Sequence, residues 1–407
     1  MIKKSEIELY FNNVERDFDI RITKNARWID QKCTPDVLCI VTDCVLNYYS
    51  ENNEKDEYFK STDIWHADYT RDNVEEIFSK PNTDEEKSSN EYDKFFAQPL
   101  ELLAYSGILE KTKKGRCNYY KINKLDILEY IALKERNALD FLCIYINKVL
   151  EKSGFIELVD NFHLNQTKES FIQLKTGFED LIINNTKINK RTEPRRIFTK
   201  VINPLSFKAK KLGTCKGRIS KNIITYSMLM YNQENFRDMI TDKPKNMTRK
   251  EWAIQHKEKI NVQYFKYQSV KAKKFIRQYN DKYRNGRSEV VNDKDSEIAT
   301  QIHHIFPQSE YPQIAMYFEN LIALTPNQHF IKAHPNNNTQ VIDRDYQEVL
   351  LKSKAGIIEE DIDKNGEDSI YDFESFVEVL NVGFKKEYKI NENDFIMVME
   401  TIDLNYR

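Results

Sequence analysis

Hydrophobic and polar positions in the first half of the chain recur mostly with the period of an α-helix. The segment 36–50 is apolar on nearly every side and follows Thr34-Pro35, which predicts a buried helix with proline in its first turn. Apolar positions at helical spacing predict further helices over 91–105, 125–152 and 168–184. We therefore expect a mainly α-helical fold.

Residues 108–122 carry the alternating pattern of a β-hairpin, with its turn at Lys114-Gly115. Helices followed by a basic hairpin resemble a winged helix-turn-helix over Asp36–Ile122, which implies one helix in the major groove of DNA and a wing on its phosphates. The candidate wing contacts are Lys113, Lys114 and Arg116. A plain α+β domain whose hairpin closes its core is the alternative. The segment 153–166 is predicted to connect two helices.

The pattern changes in the last third of the chain. A capping signature at Thr248 opens a long basic helix that runs to about residue 283 and ends at Asn285-Gly286. Two apolar stretches with the length of strands follow, at 299–305 and 320–325, and Pro326 begins a short helix after them. The succession predicts an α+β part at this end of the molecule.

Charge is distributed very unevenly over the 407 residues. The formal net charge is −2, yet residues 186–285 contain 26 Lys or Arg and 7 Asp or Glu, a formal charge of +19. This asymmetry indicates one strongly anionic partner, such as nucleic acid, although solvated basic helices would give the same pattern. The candidate DNA contacts of the region are Lys208, Lys210, Lys211, Lys216, Arg218, Lys221, Asn235 and Arg237. A positive stripe on the long helix would consist of Lys266, Lys271, Lys273, Lys274 and Arg277.

Cysteine usage and hydropathy bear on the compartment. The six cysteines form no C-x-x-C pair, which favours free thiols in a reducing compartment over disulfides or a zinc ribbon. No apolar run approaches the ~20 residues of a membrane span, and the first residues lack the apolar core of a signal peptide. We expect a cytoplasmic protein that does not associate with membranes.

Four of the seven histidines fall within Gln301–Pro335. His303 and His304 are adjacent on a predicted strand, so their side chains must point to opposite sides. His329, in the following helix, can then meet His303 on one divalent ion while His304 stands free beside it. Asn320 lies between the two halves, where it can tie the loop and hold His304 in one tautomer.

The histidine stretch resembles the HNH motif of the ββα-metal nucleases, which include colicin nucleases, homing endonucleases and some restriction enzymes. The residues that carry the resemblance are HHIFP from His303, Asn320, and His329 nine residues later. The resemblance implies one divalent ion per site, held by His303 and His329. The ion is expected to be Mg²⁺, with Mn²⁺ or another transition ion as the alternative.

The same resemblance assigns roles to the remaining residues. His304 would act as general base on water, Asn320 would complete the catalytic set, and the products would carry 5′-phosphate ends. Lys332 is a candidate phosphate contact. A third helix ligand four residues after His329 would be Ala333, so that ligand is missing. His334, five residues on, is expected to point away on an ideal α-helix and to serve structure or a phosphate contact.

Two weaker motifs suggest other chemistry. Asp361–Asp372 matches the first positions of an EF-hand calcium loop, but Asp368 replaces an aliphatic residue and Asp372 replaces the bidentate glutamate. Pro35-Asp36 followed by Glu85-Glu86-Lys87 fits the wording of the PD-(D/E)xK nucleases, although the second half lies in a polar loop. A solvated turn and an ordinary loop explain these two segments better.

The whole chain resembles an HNH-type type II restriction endonuclease, with a shifted-cleavage (type IIS-like) arrangement as one form. The predicted parts are a winged-helix-like DNA-recognition domain over 1–165, a basic helical DNA-binding region over 166–285 and an HNH nuclease domain with an acidic helical extension over 286–407. The resemblance implies double-stranded DNA as substrate, a homodimer at least during cleavage, and functional pairing with a DNA methyltransferase. The alternatives are a homing or nicking HNH endonuclease, or a winged-helix regulator whose HNH module is inactive.

Overall fold

The computed structural model describes residues 2–52, 57–78, 89–231, 249–290, 297–334 and 342–407. Helix is the dominant secondary structure of these residues, and their strands form three two-stranded antiparallel sheets. The prediction of a mainly α fold with small β parts is confirmed. The chain divides into two compact units, Met1–Gln255 and His256–Arg407. The predicted domain boundaries near residues 165 and 285 stay predictions.

The first unit is built mainly from helices. In chain order they are α1 (Lys4–Asn13), α2 (Ile20–Thr23), α3 (Pro35–Glu51), α4 (Ser61–Trp65), α5 (Asp68–Thr70), α6 (Glu76–Phe78), α7 (Ser89–Tyr105), α8 (Leu125–Leu133), α9 (Glu135–Lys152), α10 (Ile156–Asn165), α11 (Lys168–Asn185) and α12 (Thr192–Lys208). Helix α3, predicted from its all-round apolar character, is the buried centre and packs on α8 and α9. Its position follows from its sequence, because an α-helix without a polar face must be covered on all sides.

Two predictions for the first unit need correction. The helix predicted over 125–152 is divided into α8 and α9 by Lys134, which has an extended backbone. The segment 153–166, predicted to be a connection, contains α10. Gly154 ends α9 in the left-handed conformation that glycine adopts without strain. Val159 and Phe162 then bury an apolar face of α10 against α11, a pattern too short to be recognised by its period alone.

Two hairpins project from the helices of the first unit. The predicted hairpin is confirmed as β1 (Leu109–Lys114) and β2 (Cys117–Ile122), paired from Leu109↔Ile122 to Lys114↔Cys117. Phe59, between α3 and α4, forms an isolated antiparallel bridge with Tyr120 of β2. A second hairpin, β3 (Leu212–Cys215) and β4 (Arg218–Ile223), follows α12 directly.

The second unit contains most of α13 (Arg249–Tyr283), then β5 (Gln301–His304), β6 (Leu321–Leu324), α14 (Arg344–Asn365), α15 (Phe373–Phe384) and α16 (Phe395–Tyr406). As predicted, α13 ends at Asn285-Gly286, where both residues have positive φ. The predicted capping residue Thr248 lies outside the described residues.

A buried carboxylate holds the core of the second unit together. Glu289 accepts hydrogen bonds from the Ala323 backbone N–H of β6 at 2.6 Å, from Lys354 Nζ of α14 at 3.0 Å and from the Tyr371 hydroxyl at 3.2 Å, and it pairs with Arg284. Although burial opposes ionisation, these cations and donors keep the pKa of Glu289 below its usual value. The cluster links the end of β6 to α14, which positions the sheet that carries the histidines.

The structure does not form the calcium loop considered at Asp361–Asp372. Its first five residues belong to α14, so their side chains radiate from a helix instead of converging on an ion. The Asp361 carboxylate accepts hydrogen bonds from Ser369 Oγ at 2.5 Å, the Ile370 N–H at 3.0 Å and Asn365 Nδ2 at 3.0 Å. This side chain closes the turn after α14.

Two further features bear on the sequence analysis. All six cysteines are free thiols, as expected. Within the described ranges, no helix has both the length and the apolar composition required to cross a membrane.

Candidate functional site

The β5–β6 sheet sets the positions of the two adjacent histidines. In this sheet His303 pairs with Ile322 and His304 with Leu321. Neighbouring residues of a strand face opposite ways, and the two imidazoles accordingly have different partners. The sequence-based expectation of opposite orientation is confirmed. Both side chains are buried.

His303 faces a cluster of three imidazoles. The ring centroids of His303 and His329 are 5.1 Å apart, and each lies about as close to His334, at 5.0 and 4.9 Å. One nitrogen from each of the three rings lies within 4.8 Å of the others. Nε2 of His303 and Nδ1 of His329 are buried without a hydrogen-bond partner in the described part of the chain. Buried nitrogens without a partner are costly, and a shared cation would satisfy them.

The prediction that His334 points away from His329 is wrong, because the connecting segment is not an ideal α-helix. Gln328–Ala333 forms a π-helix, in which the N–H of residue i+5 donates to the carbonyl oxygen of residue i. This winding places residues five apart on one side, so His334 joins His329, while Ala333 is fully buried. His334 is therefore a candidate third ligand, one residue later than α-helical spacing predicts.

The environment keeps the imidazoles of His303 and His329 neutral. Burial first, and then the nearby His329 and His334, hold the pKa of His303 well below its usual value. Burial, followed by His334 and Lys273, lowers the pKa of His329 to about 4. A neutral imidazole has a free lone pair for a metal ion, whereas an imidazolium has none. At neutral pH the imidazoles of His303 and His329 fit a divalent cation without first losing protons.

His304 lies on the other face of β5 with its tautomer defined. Its Nε2 is 3.0 Å from the carbonyl oxygen of Ala315 and 3.0 Å from Oγ of Ser269 on α13. A carbonyl oxygen can only accept, so Nε2 carries the proton and Nδ1 carries the lone pair. Burial, and then the charge of Lys273, lowers the pKa of His304 to about 4. The ring is therefore neutral at pH 7 and can accept a proton at Nδ1.

Asn320 ties the loop that supplies the Ala315 carbonyl. Its fully buried side chain accepts from the Phe306 N–H at 2.8 Å and donates to the carbonyls of Phe306 at 3.1 Å and Ile314 at 3.3 Å. These bonds close the loop between β5 and β6 and fix the residue next to Ala315. Asn320 thus ties the loop as expected, and its predicted role in orienting His304 stays a prediction.

The contribution of α13 to this site was not predicted from the sequence. Ser269 was not identified, because no local spacing relates it to a histidine 35 residues later. Lys273, predicted to belong to a positive stripe on the long helix, is half-buried at the edge of the helix face formed by Ser269, Ala272 and Ile276. This buried face could have been predicted from the i, i+3 and i+4 spacing of its residues.

The predicted DNA contacts lie in several places. Lys113, Lys114 and Arg116 are exposed at the β1–β2 turn, and Lys216, Arg218 and Lys221 are exposed on the second hairpin. Lys210 and Lys211 lie between α12 and β3, and Lys208 pairs with Asp140. Lys332 lies half-exposed in the π-helix. Asn235 and Arg237 lie outside the described residues, as does the Glu85–Lys87 half of the rival nuclease motif.

Comparisons of the chain with protein-family models, with curated proteins and with solved structures find no match.

Proposed function

We propose that the chain is a metal-dependent endonuclease of the HNH type that hydrolyses phosphodiester bonds of double-stranded DNA. The observation that carries the proposal is that strand β5 has a histidine of defined tautomer on one face and a cluster of three imidazoles on the other. His304 has its proton on Nε2 and its lone pair on Nδ1, and the adjacent His303 belongs to a three-imidazole cluster. A general base beside a cation site is what hydrolysis of a phosphodiester requires.

The donor set bears on the identity of the ion. The metal-candidate group of the described residues consists of His303, His329 and His334, without a carboxylate. Mg²⁺ prefers oxygen ligands, whereas neutral imidazoles suit Zn²⁺, Co²⁺, Ni²⁺ and similar ions. We therefore favour a divalent transition ion over the Mg²⁺ expected from the resemblance. When bound, such an ion stabilises the negative charge that develops on the phosphate.

The chain's own residues supply the proton transfer. Nδ1 of His304 accepts a proton from the attacking water, and the Ala315 carbonyl stabilises the resulting imidazolium through Nε2–H. Asn320 keeps this carbonyl in place through the loop. The low pKa of free His304 makes it a weak base, and the phosphate's negative charge would raise that pKa when DNA is bound.

The first unit supplies candidate surfaces for DNA. The order α3, bridge at Phe59, α4, α7, β1 and β2 is that of a winged helix, which supports a wing contact through Lys113, Lys114 and Arg116. The exposed positions of α7 include Asp93 as well as Lys94, which does not favour insertion of this helix into a groove. The second hairpin offers a further basic surface, since Lys216, Arg218 and Lys221 are all exposed.

A more specific form of the proposal is that the chain is a restriction enzyme. A basic recognition surface in addition to a compact nuclease site suits a type II restriction endonuclease that reads one sequence, acts as at least a transient homodimer and is paired with a DNA methyltransferase. Sequencing the ends of digested plasmid DNA tests this form. Discrete fragments from one recognition sequence are expected. Single-strand nicks or one rare long target would favour a nicking or homing enzyme instead.

The nuclease activity itself is tested with His304→Ala. We expect plasmid cleavage, assayed with Mn²⁺, Co²⁺, Zn²⁺ and Mg²⁺ in turn, to fall by about 10²- to 10⁴-fold, because the proton acceptor is lost. Asn327→Ala, at an exposed position before the π-helix, is the matched control and should cleave normally. Cleavage by His304→Ala at the wild-type rate would refute the assignment. DNA binding without cleavage in any of these metals would favour a DNA-binding regulator.

A further inference from the structure

Lys273 is a half-buried cation on the side of α13 that faces the histidines. Four residues before it on the same helix, Ser269 contacts Nε2 of His304 at 3.0 Å. Residues i and i+4 lie one above the other on a helix, so Lys273 projects from the same face one turn further on. Phe275 anchors this part of α13 by stacking on Phe318, with ring centroids 4.8 Å apart. The contacts of Ser269 and Phe275, before and after Lys273 in the sequence, therefore hold this part of α13 beside the site.

The charge of Lys273 acts on the histidines of the site. The positive charge of Lys273 lowers the pKa of His303, His304 and His329, after burial and, for His303 and His329, after their histidine neighbours. Burial lowers the pKa of Lys273 itself. No carboxylate pairs with Lys273 among the residues whose side chains are described. A cation therefore stands near a cluster that suits another cation, an arrangement that is unfavourable without an anion between them.

We propose that Lys273 binds a non-bridging oxygen of the phosphate on which His304 acts. This inference rests on the proposed nuclease function and specifies how the substrate is held. A phosphate oxygen would satisfy the lysine, and its negative charge would offset the repulsion between the ammonium and a metal ion on the three histidines. Lys273 and the metal ion would then bind one phosphate together, so that phosphate and metal strengthen each other's binding.

The proposal predicts opposite effects on two binding equilibria. Removing the charge with Lys273→Met should tighten Co²⁺ binding by the DNA-free protein, because a like charge is removed. The same change should weaken the binding of phosphate, because its cationic partner is lost. A side chain with a purely structural role would not strengthen metal binding when it is replaced.

The experiment titrates Co²⁺ into the full chain with and without inorganic phosphate, and follows the visible absorption of the bound ion. In the wild type, phosphate should raise the Co²⁺ affinity by at least about fivefold. In Lys273→Met the affinity without phosphate should rise by a similar factor, and the effect of phosphate should disappear. Lys273→Arg should retain it, and Lys282→Met, at an exposed position near the end of α13, should behave as wild type.

Each outcome separates this inference from the nuclease proposal, because the titration requires no turnover. Lys273→Met with wild-type Co²⁺ affinity and a wild-type phosphate effect would overturn the role of Lys273, even if DNA is cleaved. The expected pattern would support it even if no DNA is cleaved, in which case the proposed nuclease function would fail alone. Hydrogen exchange of the β5 and β6 amides establishes that the variants are folded.

Discussion

At the scale of single residues, the site depends on side chains that each make a few defined contacts. Replacing His334 should have the clearest effect on metal binding, because this residue supplies one of three nitrogens within 4.8 Å of one another. His334→Ala should lower the affinity for Co²⁺ or Zn²⁺ by at least about 100-fold, since a direct ligand matters no less than an outer one. Isothermal titration calorimetry measures this. Lys332→Ala, in the same turn, is the control, and equal affinities for both variants would exclude His334 as a ligand.

Asn320 is a second residue whose replacement should have a defined effect, here on the free energy of unfolding. Asn320→Ala would leave the Phe306 N–H and the carbonyls of Phe306 and Ile314 buried without this partner. We expect a loss of about 3 kcal/mol in the free energy of unfolding, because each unsatisfied buried group costs about 1–3 kcal/mol and the loop can relax in part. Urea unfolding measures the loss. An unchanged unfolding midpoint would show that the loop is held by other contacts.

At the scale of secondary-structure elements, the packing of α15 against the loop between β5 and β6 is unusually close. A Cβ atom on Gly383 of α15 would lie 2.3 Å from the ring of Phe306, which is buried and cannot move freely. Gly383→Ala should therefore destabilise the protein by about 1–3 kcal/mol and disturb the Ala315 carbonyl through the loop. Thermal unfolding and cleavage assays together test this.

A second glycine provides a matched control for α15. Gly356 lies within α14, and a Cβ atom built on it meets nothing within 4 Å. Gly356→Ala should raise stability by about 0.5–1 kcal/mol, because alanine loses less conformational entropy in a helix. If both substitutions changed stability in the same direction, close packing at Gly383 would not be the cause.

At the scale of the whole molecule, the buried histidines link stability to pH. In the folded metal-free protein the pKa of His304 and of His329 is about 4, against about 6.5 in an unfolded chain. Below pH 6.5 the unfolded chain binds more protons, so this contribution to stability is complete above pH 6.5 and is lost as the pH falls towards 4.

The loss of stability between pH 7 and pH 4 should be large enough to measure. Each pKa unit corresponds to 1.36 kcal/mol, so we expect His304 alone to account for roughly 3 kcal/mol between pH 7 and pH 4. Urea unfolding of the metal-free protein, followed by circular dichroism, measures the decline, which His304→Gln should reduce. The exposed His66 offers the control variant His66→Gln. A decline that is the same in His304→Gln and the wild type would rule out His304 as its source.

Local sequence determined a large part of this protein. All-round apolar character was enough to predict α3, and alternation with a glycine turn was enough to predict the β1–β2 hairpin, because both patterns act within a few residues. The opposite orientation of His303 and His304 followed from strand geometry alone. The approach of His329 to His303 followed from the strand, loop, strand and helix order.

Tertiary structure decided the remaining features of the site. His334 became a candidate ligand only because Gln328–Ala333 winds as a π-helix, and α-helical spacing does not predict such local winding. Ser269 and Lys273 reach the site because α13 packs against a loop far along the chain, through contacts such as Phe275 on Phe318. Contacts between distant segments depend on how whole faces fit together, and residue spacing within one segment does not determine that fit.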